Sequence, residues 1–289
     1  MCTKTQRGWI EAALCNLANP AKLRKQVEQA KAHWATHISP RHVGRCALNR
    51  LLIWFAEKRL GNEQQKKGGR SRVFLMDSAA SMVVCSSRAL QGLFTKIRAT
   101  STCPQEFAFH ADRLMTILAE EGIASLPQRD VVVETPCGQY AGVEPAYEKL
   151  CVVSIVRAGD SLAASVRKCA PHAAMGKILI QRDEETALPK LFYKKLPLGI
   201  EAMQVLLVDP MLATGGSAIM AVQVLLESGV PPENIVFLNV VSCPEGLANM
   251  ASKFPMVKVV TAAVDEKLDE RSYIVPGLGD YGDRYFGTV

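Results

Sequence analysis

Residues 204–217, QVLLVDPMLATGGS, place a carboxylate, two hydroxyls and two glycines directly behind a short apolar run. That run, Val205, Leu206, Leu207 and Val208, has the length and branching of a buried parallel strand. It ends at Asp209, passes Pro210, Met211, Leu212 and Ala213, and turns through Thr214, Gly215, Gly216 and Ser217. Helical spacing begins at once, with Ala218, Ile219, Val222, Val224 and Leu225 roughly on one face. A strand, a small-residue loop and a helix start together aim unpaired backbone amides at a phosphate. The glycines let the backbone approach, and the Thr and Ser hydroxyls add donors. A carboxylate five residues before that cradle suits sugar hydroxyls, so the expected ligand is a ribose 5-phosphate. No Lys follows the glycines, which excludes a Walker A loop. An ordinary capped strand-to-helix connection would account for Gly and Ser, but not for the acid that accompanies them.

Two other segments could supply the rest of a reaction. The run CVVSIV ends in Arg157-Ala158-Gly159-Asp160, where a guanidinium and small neighbours can meet an anion. The run KILIQ ends in Arg182-Asp183-Glu184-Glu185, followed by a polar stretch to Pro197 that reads as a hairpin or arm. The last residues, YIVPGLGDYGDRYFGTV, contain a formal G-x-G-x-x-G at Gly277, Gly279 and Gly282. Only seven residues follow it, too few for the helix a dinucleotide site needs, so an irregular loop is predicted. Its backbone groups suit a small planar heterocycle with amide edges; a tail that closes the core is the plainer alternative.

The elements that must position these segments follow from the apolar pattern. β-Branched runs at 131–133, 151–156, 178–180, 205–208, 235–241 and 257–260 alternate with helical patterns at 161–169, 217–228 and 245–252. Nearly all-apolar strands in β-α-β order predict a parallel sheet covered on both faces. In such sheets ligands bind outside the carboxyl ends of the strands, which is where Asp209, Arg157 and Arg182 fall.

With 289 residues the chain can bury a large core, and no apolar run approaches the ~18 residues of a membrane span. Nine cysteines, without a C-x-x-C pair or a zinc spacing, read as reduced thiols serving mostly as small core hydrophobes. A reducing, cytoplasmic location is expected. Residues 1–72 hold 15 Lys or Arg against four acids, whereas the remainder holds 19 against 24. The basic character therefore belongs to an N-terminal extension, 1–71, ending in the linker-like GNEQQKKGGRSR (61–72). Helical spacing at Leu48, Leu51, Leu52 and Phe55 favours a helical extension with a solvated basic face. A transit peptide is opposed by scarce serine and an early Glu11; a polyanion-binding arm is the remaining alternative.

Over residues 72–289 the chain resembles uracil phosphoribosyltransferases of the type I phosphoribosyltransferase class. The carriers are VDPMLATGGS (208–217) and YIVPGLGDYGDRYFGT (273–288), supported by SIVRAG (154–159), QRDEETALPKLFYKKLP (181–197) and TAAVDEKLDERSYI (261–274). SIVRAGD is most similar to eukaryotic members. The resemblance implies a parallel sheet flanked by helices with a C-terminal uracil-binding hood. It implies transfer of the 5-phosphoribosyl group of phosphoribosyl diphosphate (PRPP) to uracil, giving UMP and diphosphate in pyrimidine salvage. By the same resemblance Asp209, Pro210, Met211, Leu212, Ala213, Thr214, Gly215, Gly216 and Ser217 bind the ribose 5-phosphate, and Arg157 and Arg182 contact the diphosphate. Tyr273, Ile274, Gly279, Asp280 and Tyr281 line the uracil, largely through main-chain atoms, with Asp280 lying between uracil and PRPP.

Asp280, Asp209 and Arg157 are thus the expected catalytic residues. Mg²⁺ is implied as cofactor, held mainly through PRPP rather than by a dedicated protein cage. A homodimer or homotetramer is implied, some members are activated by GTP, and neither membrane nor nucleic acid is an expected partner. Two departures bear on effector control. Asp160-Ser161-Leu162 stands where the family has a glycine-containing sequence, and Ala124-Ser125-Leu126 where Tyr-Glu is frequent. A non-catalytic regulator that binds the same ligands, with the basic arm on RNA, is the competing class.

Overall fold

The computed structural model describes residues 82–85, 87–182 and 189–288, with Arg182 described by its backbone alone. The extension and linker read over 1–71 lie outside the described residues.

The centre is an eight-stranded sheet in the order β1-β10-β9-β7-β4-β5-β6, with β8 paired to β9. Its strands are β1 (Met82–Val84), β4 (Leu150–Val156), β5 (Ala174–Arg182), β6 (Pro189–Lys195), β7 (Gln204–Val208), β8 (Met211–Leu212), β9 (Ile235–Ser242) and β10 (Lys258–Val264). All pairings are parallel except β5 with β6. The arm read after KILIQ is therefore an antiparallel return along the sheet edge, paired from Arg182 opposite Pro189 to Lys177 opposite Lys195 with a register shift between Leu179 and Ile180.

The continuous apolar runs form the central strands because both faces are covered. Every residue of β9 is buried, as is all of β7 except Gln204 and all of β4 except Val156. Val152, Leu206, Val208, Leu238 and Val260 point into one core with helices α1 (Arg88–Arg98), α2 (Pro104–Ala124) and α3 (Gly159–Cys169). Helix α4 (Gly216–Glu227) lies against β4, β5 and β6 and adjoins α5 (Pro244–Lys253). Helix α1 starts where the Ser87 hydroxyl accepts from the Leu90 N–H, satisfying one of the orphan donors of a first turn. It buries Leu90, Leu93, Phe94 and Ile97, spaced at three and four residues.

Three expectations are corrected. Residues 131–133 belong not to the sheet but to a separate hairpin, β2 (Gln128–Thr135) with β3 (Gly138–Pro145), which is largely exposed. Their three valines satisfy the strand pattern wherever the strand goes. The C-terminus is not wholly irregular: a short helix, α6 (Tyr281–Phe286), follows β11 (Lys267–Leu268) and β12 (Ile274–Val275). One and a half turns suffice because Asp280 caps the start and Gly287, in the left-handed region, closes the end. Of the cysteines, Cys85, Cys151 and Cys243 are buried as expected, but Cys103 and Cys137 are exposed.

Candidate functional site

Strand β7 lies between β4 and β9, and the chain runs outward from β4 through α3 and from β7 through α4. The carboxyl ends of β4 and β7 therefore flank the point where strand order reverses, the usual ligand crevice of an open α/β sheet. Arg157 follows the first of these strands and Asp209 the second.

The loop after β7 is held from below. Asp209 N–H donates to Leu238 (3.2 Å), while Pro210 C=O accepts from Val240 (2.9 Å) and Val241 (3.0 Å). Met211 and Leu212 pair with β9 as β8, and Leu212 C=O accepts from Cys243 N–H (3.0 Å). From α5, Asn249 Nδ2 donates to Thr214 C=O at 2.9 Å. These contacts tie down the carbonyl side of the loop. Gly215 takes φ +85°, a left-handed turn that glycine adopts without steric penalty. Its carbonyl accepts from Ile219 N–H at 2.8 Å, so the amides of Gly216, Ser217 and Ala218 precede the helical ladder and are available to an anion. Pro189 on β6 comes close to Gly216, which brings the β5–β6 arm, and with it the backbone of Arg182, toward the same loop.

Asp209 is only partly exposed, and burial pushes its carboxyl up to about 7 against the opposing hydrogen bond from Met211 N–H. Asp160, next to the RAG turn, is already used inside the protein. It accepts from the Ser154 hydroxyl at 2.6 Å and pairs with Lys177 at 3.1 Å.

The C-terminal segment meets this crevice through Arg157. Its guanidinium donates to Asp283 at 2.6 Å and to the Thr288 hydroxyl at 3.0 Å, and lies 5.6 Å from the Phe286 ring centre. The expected base-site residues share this segment but differ in what they present. Ile274 is buried in β12 opposite Leu268, whereas the Tyr273 ring is exposed. Gly279 takes φ +81° and is exposed. Asp280 is exposed, and its Oδ1 accepts from Asp283 N–H at 2.9 Å. Tyr281 offers only its main chain, because its ring is buried against Phe107 and Tyr285 and its hydroxyl meets Ser161 and Met115.

Sequence reading missed the groups that fix this segment. Asp265 takes a bidentate pair from Arg98, 2.7 Å on each oxygen, and accepts from Gly277 N–H at 2.8 Å. Arg98 also reaches Gly277 C=O, while Arg284 donates to Leu278, Ile97 and Ala99 carbonyls at 2.6–2.7 Å. A hollow of ≈ 400 Å³ between α1–α2 and residues 276–284 includes Gly279 but none of the other expected site residues. Magnesium takes oxygen ligands, and of the expected site residues Asp209 and Asp280 carry carboxylates; no group of three His, Cys, Asp or Glu that could hold a metal ion occurs among the described residues.

Comparison with known proteins agrees with this geometry. The profile of the family "Uracil phosphoribosyltransferase" matches residues 84–288. The chain is 54% identical over 208 residues to the uracil phosphoribosyltransferase of Dictyostelium discoideum, spanning 72% of this chain and 96% of that one. It is 52% identical over 198 residues to that of Saccharomyces cerevisiae, spanning 68% and 91%. Among solved structures, the AQ2163 protein from Aquifex aeolicus superposes with a TM-score of 0.62 at 29% identity, over 71% of this chain and 97% of that one.

Proposed function

The chain belongs to the uracil phosphoribosyltransferase family, whose members join uracil to the 5-phosphoribosyl group of PRPP, and from that premise we propose how its own residues divide the work. It gives UMP and diphosphate, a reaction of pyrimidine salvage. The observation that carries the assignment of roles is the crevice itself. A glycine turn at a helix start, a carboxylate and a guanidinium stand at adjacent strand ends, with the C-terminal helix α6 joined to that guanidinium.

In this reading the amides at the start of α4, with the Thr214 and Ser217 hydroxyls, bind the 5-phosphate. Asp209 accepts from the ribose hydroxyls. Arg157 and Arg182 take the diphosphate. The main chain of Gly279, Asp280 and Tyr281 reads the amide edges of uracil, with Ile274 beneath and Tyr273 at the rim.

Transfer breaks the bond from the anomeric carbon to diphosphate and forms one to a uracil ring nitrogen. The transition state resembles an oxocarbenium ion, so no covalent nucleophile is required. The protein must hold both phosphate ends, absorb charge on the departing diphosphate and exclude water. Asp280 uses one oxygen to cap α6, and the carboxylate's remaining acceptor capacity serves, in this reading, to receive the ring proton of uracil. Magnesium, bound through diphosphate oxygens and water, would supply further charge neutralisation.

A homodimer or homotetramer in the cytoplasm, and response to GTP, complete the proposal. The test is conversion of radiolabelled uracil to UMP by purified protein with PRPP, across magnesium and GTP concentrations. UMP formation that requires magnesium is expected. No UMP under any of these conditions would overturn the enzymatic reading in favour of a ligand-binding regulator.

A further inference from the structure

Arg157 is held by three residues of the 273–288 segment to which the resemblance assigns no role. Its Nη2 donates to Asp283 Oδ1 at 2.6 Å and its Nη1 to Thr288 Oγ1 at 3.0 Å. Thr288 Oγ1 in turn donates to the same Asp283 oxygen at 2.6 Å, closing a three-membered ring of hydrogen bonds. The Phe286 ring lies 5.6 Å from the guanidinium carbon. A guanidinium carries five donors in a rigid fork. Among the described residues Asp283 and Thr288 take two of them, so three are left for an incoming anion. The carboxylate does not lock the arginine away, since the Arg157 side chain is 49% exposed. What it does fix is where the guanidinium stands and which way its remaining donors point.

We propose that Asp283, with Thr288, is a positioning residue that pre-orients the Arg157 guanidinium for the diphosphate of PRPP. This rests on the reading of Arg157 as a diphosphate ligand. The Asp283 carboxyl is suited to the task because one of its oxygens meets both the Arg157 guanidinium and the Thr288 hydroxyl, at 2.6 Å each. Asp283 sits in α6, the helix that Asp280 caps, so the chain that carries the base loop also orients the group that receives the leaving diphosphate. An unanchored Arg has several rotamers to give up on binding, and a displacement near 1 Å at a reacting centre can cost about 10²-fold in rate. Anchoring by one charged and one neutral partner should therefore act on PRPP and on turnover, and leave uracil recognition alone.

Gly282 gives an independent handle. A Cβ at this position would stand 3.1 Å from Arg157 Nη2. Gly282→Ala is favourable in a helix and should displace the guanidinium without removing any partner. The same Cβ would lie at ordinary contact distance, 3.4 Å, from Asp280 Oδ1, so the tighter approach is to Arg157, and the variant remains informative if Asp283→Asn fails to fold.

The experiment is steady-state kinetics of the full chain with uracil, PRPP and magnesium. The variants are Asp283→Asn, Gly282→Ala, Arg157→Ala and the double variant Arg157→Ala/Asp283→Asn. Asp283→Asn should raise KM for PRPP about 10-fold and lower kcat, with KM for uracil within about 2-fold of the parent. Gly282→Ala should shift the same constants in the same direction. In the Arg157→Ala background, Asp283→Asn should cost nothing more, because a residue that acts only through another loses its effect when that one is gone. An equal rise in KM for uracil would mark a general loosening of the C-terminal helix and overturn the proposal. So would additive losses in the double variant, or a fall in KM for PRPP, which would make Asp283 a competitor of diphosphate. If Arg157→Ala itself leaves PRPP kinetics unchanged, the diphosphate reading of Arg157 fails, and the proposal falls with it.

Discussion

Asp209 is the residue whose burial and expected chemistry act on the same atoms. Its place behind a buried strand and before a glycine turn was readable from sequence, because both neighbours announce themselves locally. Its proton affinity was not. That depends on how far folding buries the carboxyl, and burial raises it to about 7. A carboxyl weakened by folding retains a proton in the native state that the unfolded chain has already lost. Its contribution to stability is therefore complete below about pH 4, and is lost as pH rises through about 7. An ionised carboxylate is the better acceptor for ribose hydroxyls, so kcat/KM for PRPP should rise with pH through about 7. Asp209→Asn should lower turnover by about 10²-fold or more and flatten that limb. Its melting temperature at pH 8 should not fall, since Asn removes a charge that the fold disfavours. A limb that persists in the variant would belong to the phosphates of PRPP, and a collapse in melting temperature would make Asp209 structural.

At the scale of elements, the C-terminal segment shows which information is local and which is not. Glycines, Pro276 and the acids marked 276–283 as an irregular loop, which holds for 276–280, with two positive-φ glycines and a cis Val275–Pro276 bond, whereas 281–283 begin α6. The braces could not be read. Arg98 and Asp265 are 167 residues apart, and each alone resembles an ordinary surface charge. Together they are a partly buried bidentate pair, with side chains 23% and 6% exposed, clamped on both sides of Gly277. These bonds fix the loop within the protein itself, which is what the proposed recognition of a base through main-chain atoms requires. Gly279 is the sensitive point, because φ +81° is a conformation that a β-branched residue rarely adopts. Gly279→Val should abolish uracil binding while PRPP still binds, since the phosphate cradle belongs to the β7–α4 loop. Calorimetry with each ligand separately decides it. If PRPP affinity falls as far as uracil affinity, the C-terminal segment is not a separable base site.

For the whole molecule, the sheet was legible because parallel strands buried on both faces are nearly all apolar, and 151–156, 205–208 and 235–241 are, with Ser154 and Asn239 the buried polar exceptions. The same rule misplaced 131–133, because a run of valines signals a strand but not which neighbour covers it. In the structure that strand forms a two-stranded hairpin with Val132 65%, Val133 46%, Tyr140 62% and Val143 66% exposed. Register puts Val133 opposite Tyr140 on one face, and Val132 opposite Ala141 on the other, so both faces carry exposed apolar side chains. An isolated two-stranded hairpin is marginal in water, and exposed apolar surface of this kind usually marks a contact. A second copy of the chain is the occupant that fits the proposed homodimer or homotetramer. Val132→Glu/Val133→Glu, one charge on each face, should lower the sedimenting mass of the protein to that of a smaller assembly. Far-ultraviolet circular dichroism should change little, because the hairpin is not part of the eight-stranded sheet. A parent protein that sediments as a monomer, or a variant of unchanged mass, would show that the hairpin is not where copies of this chain meet.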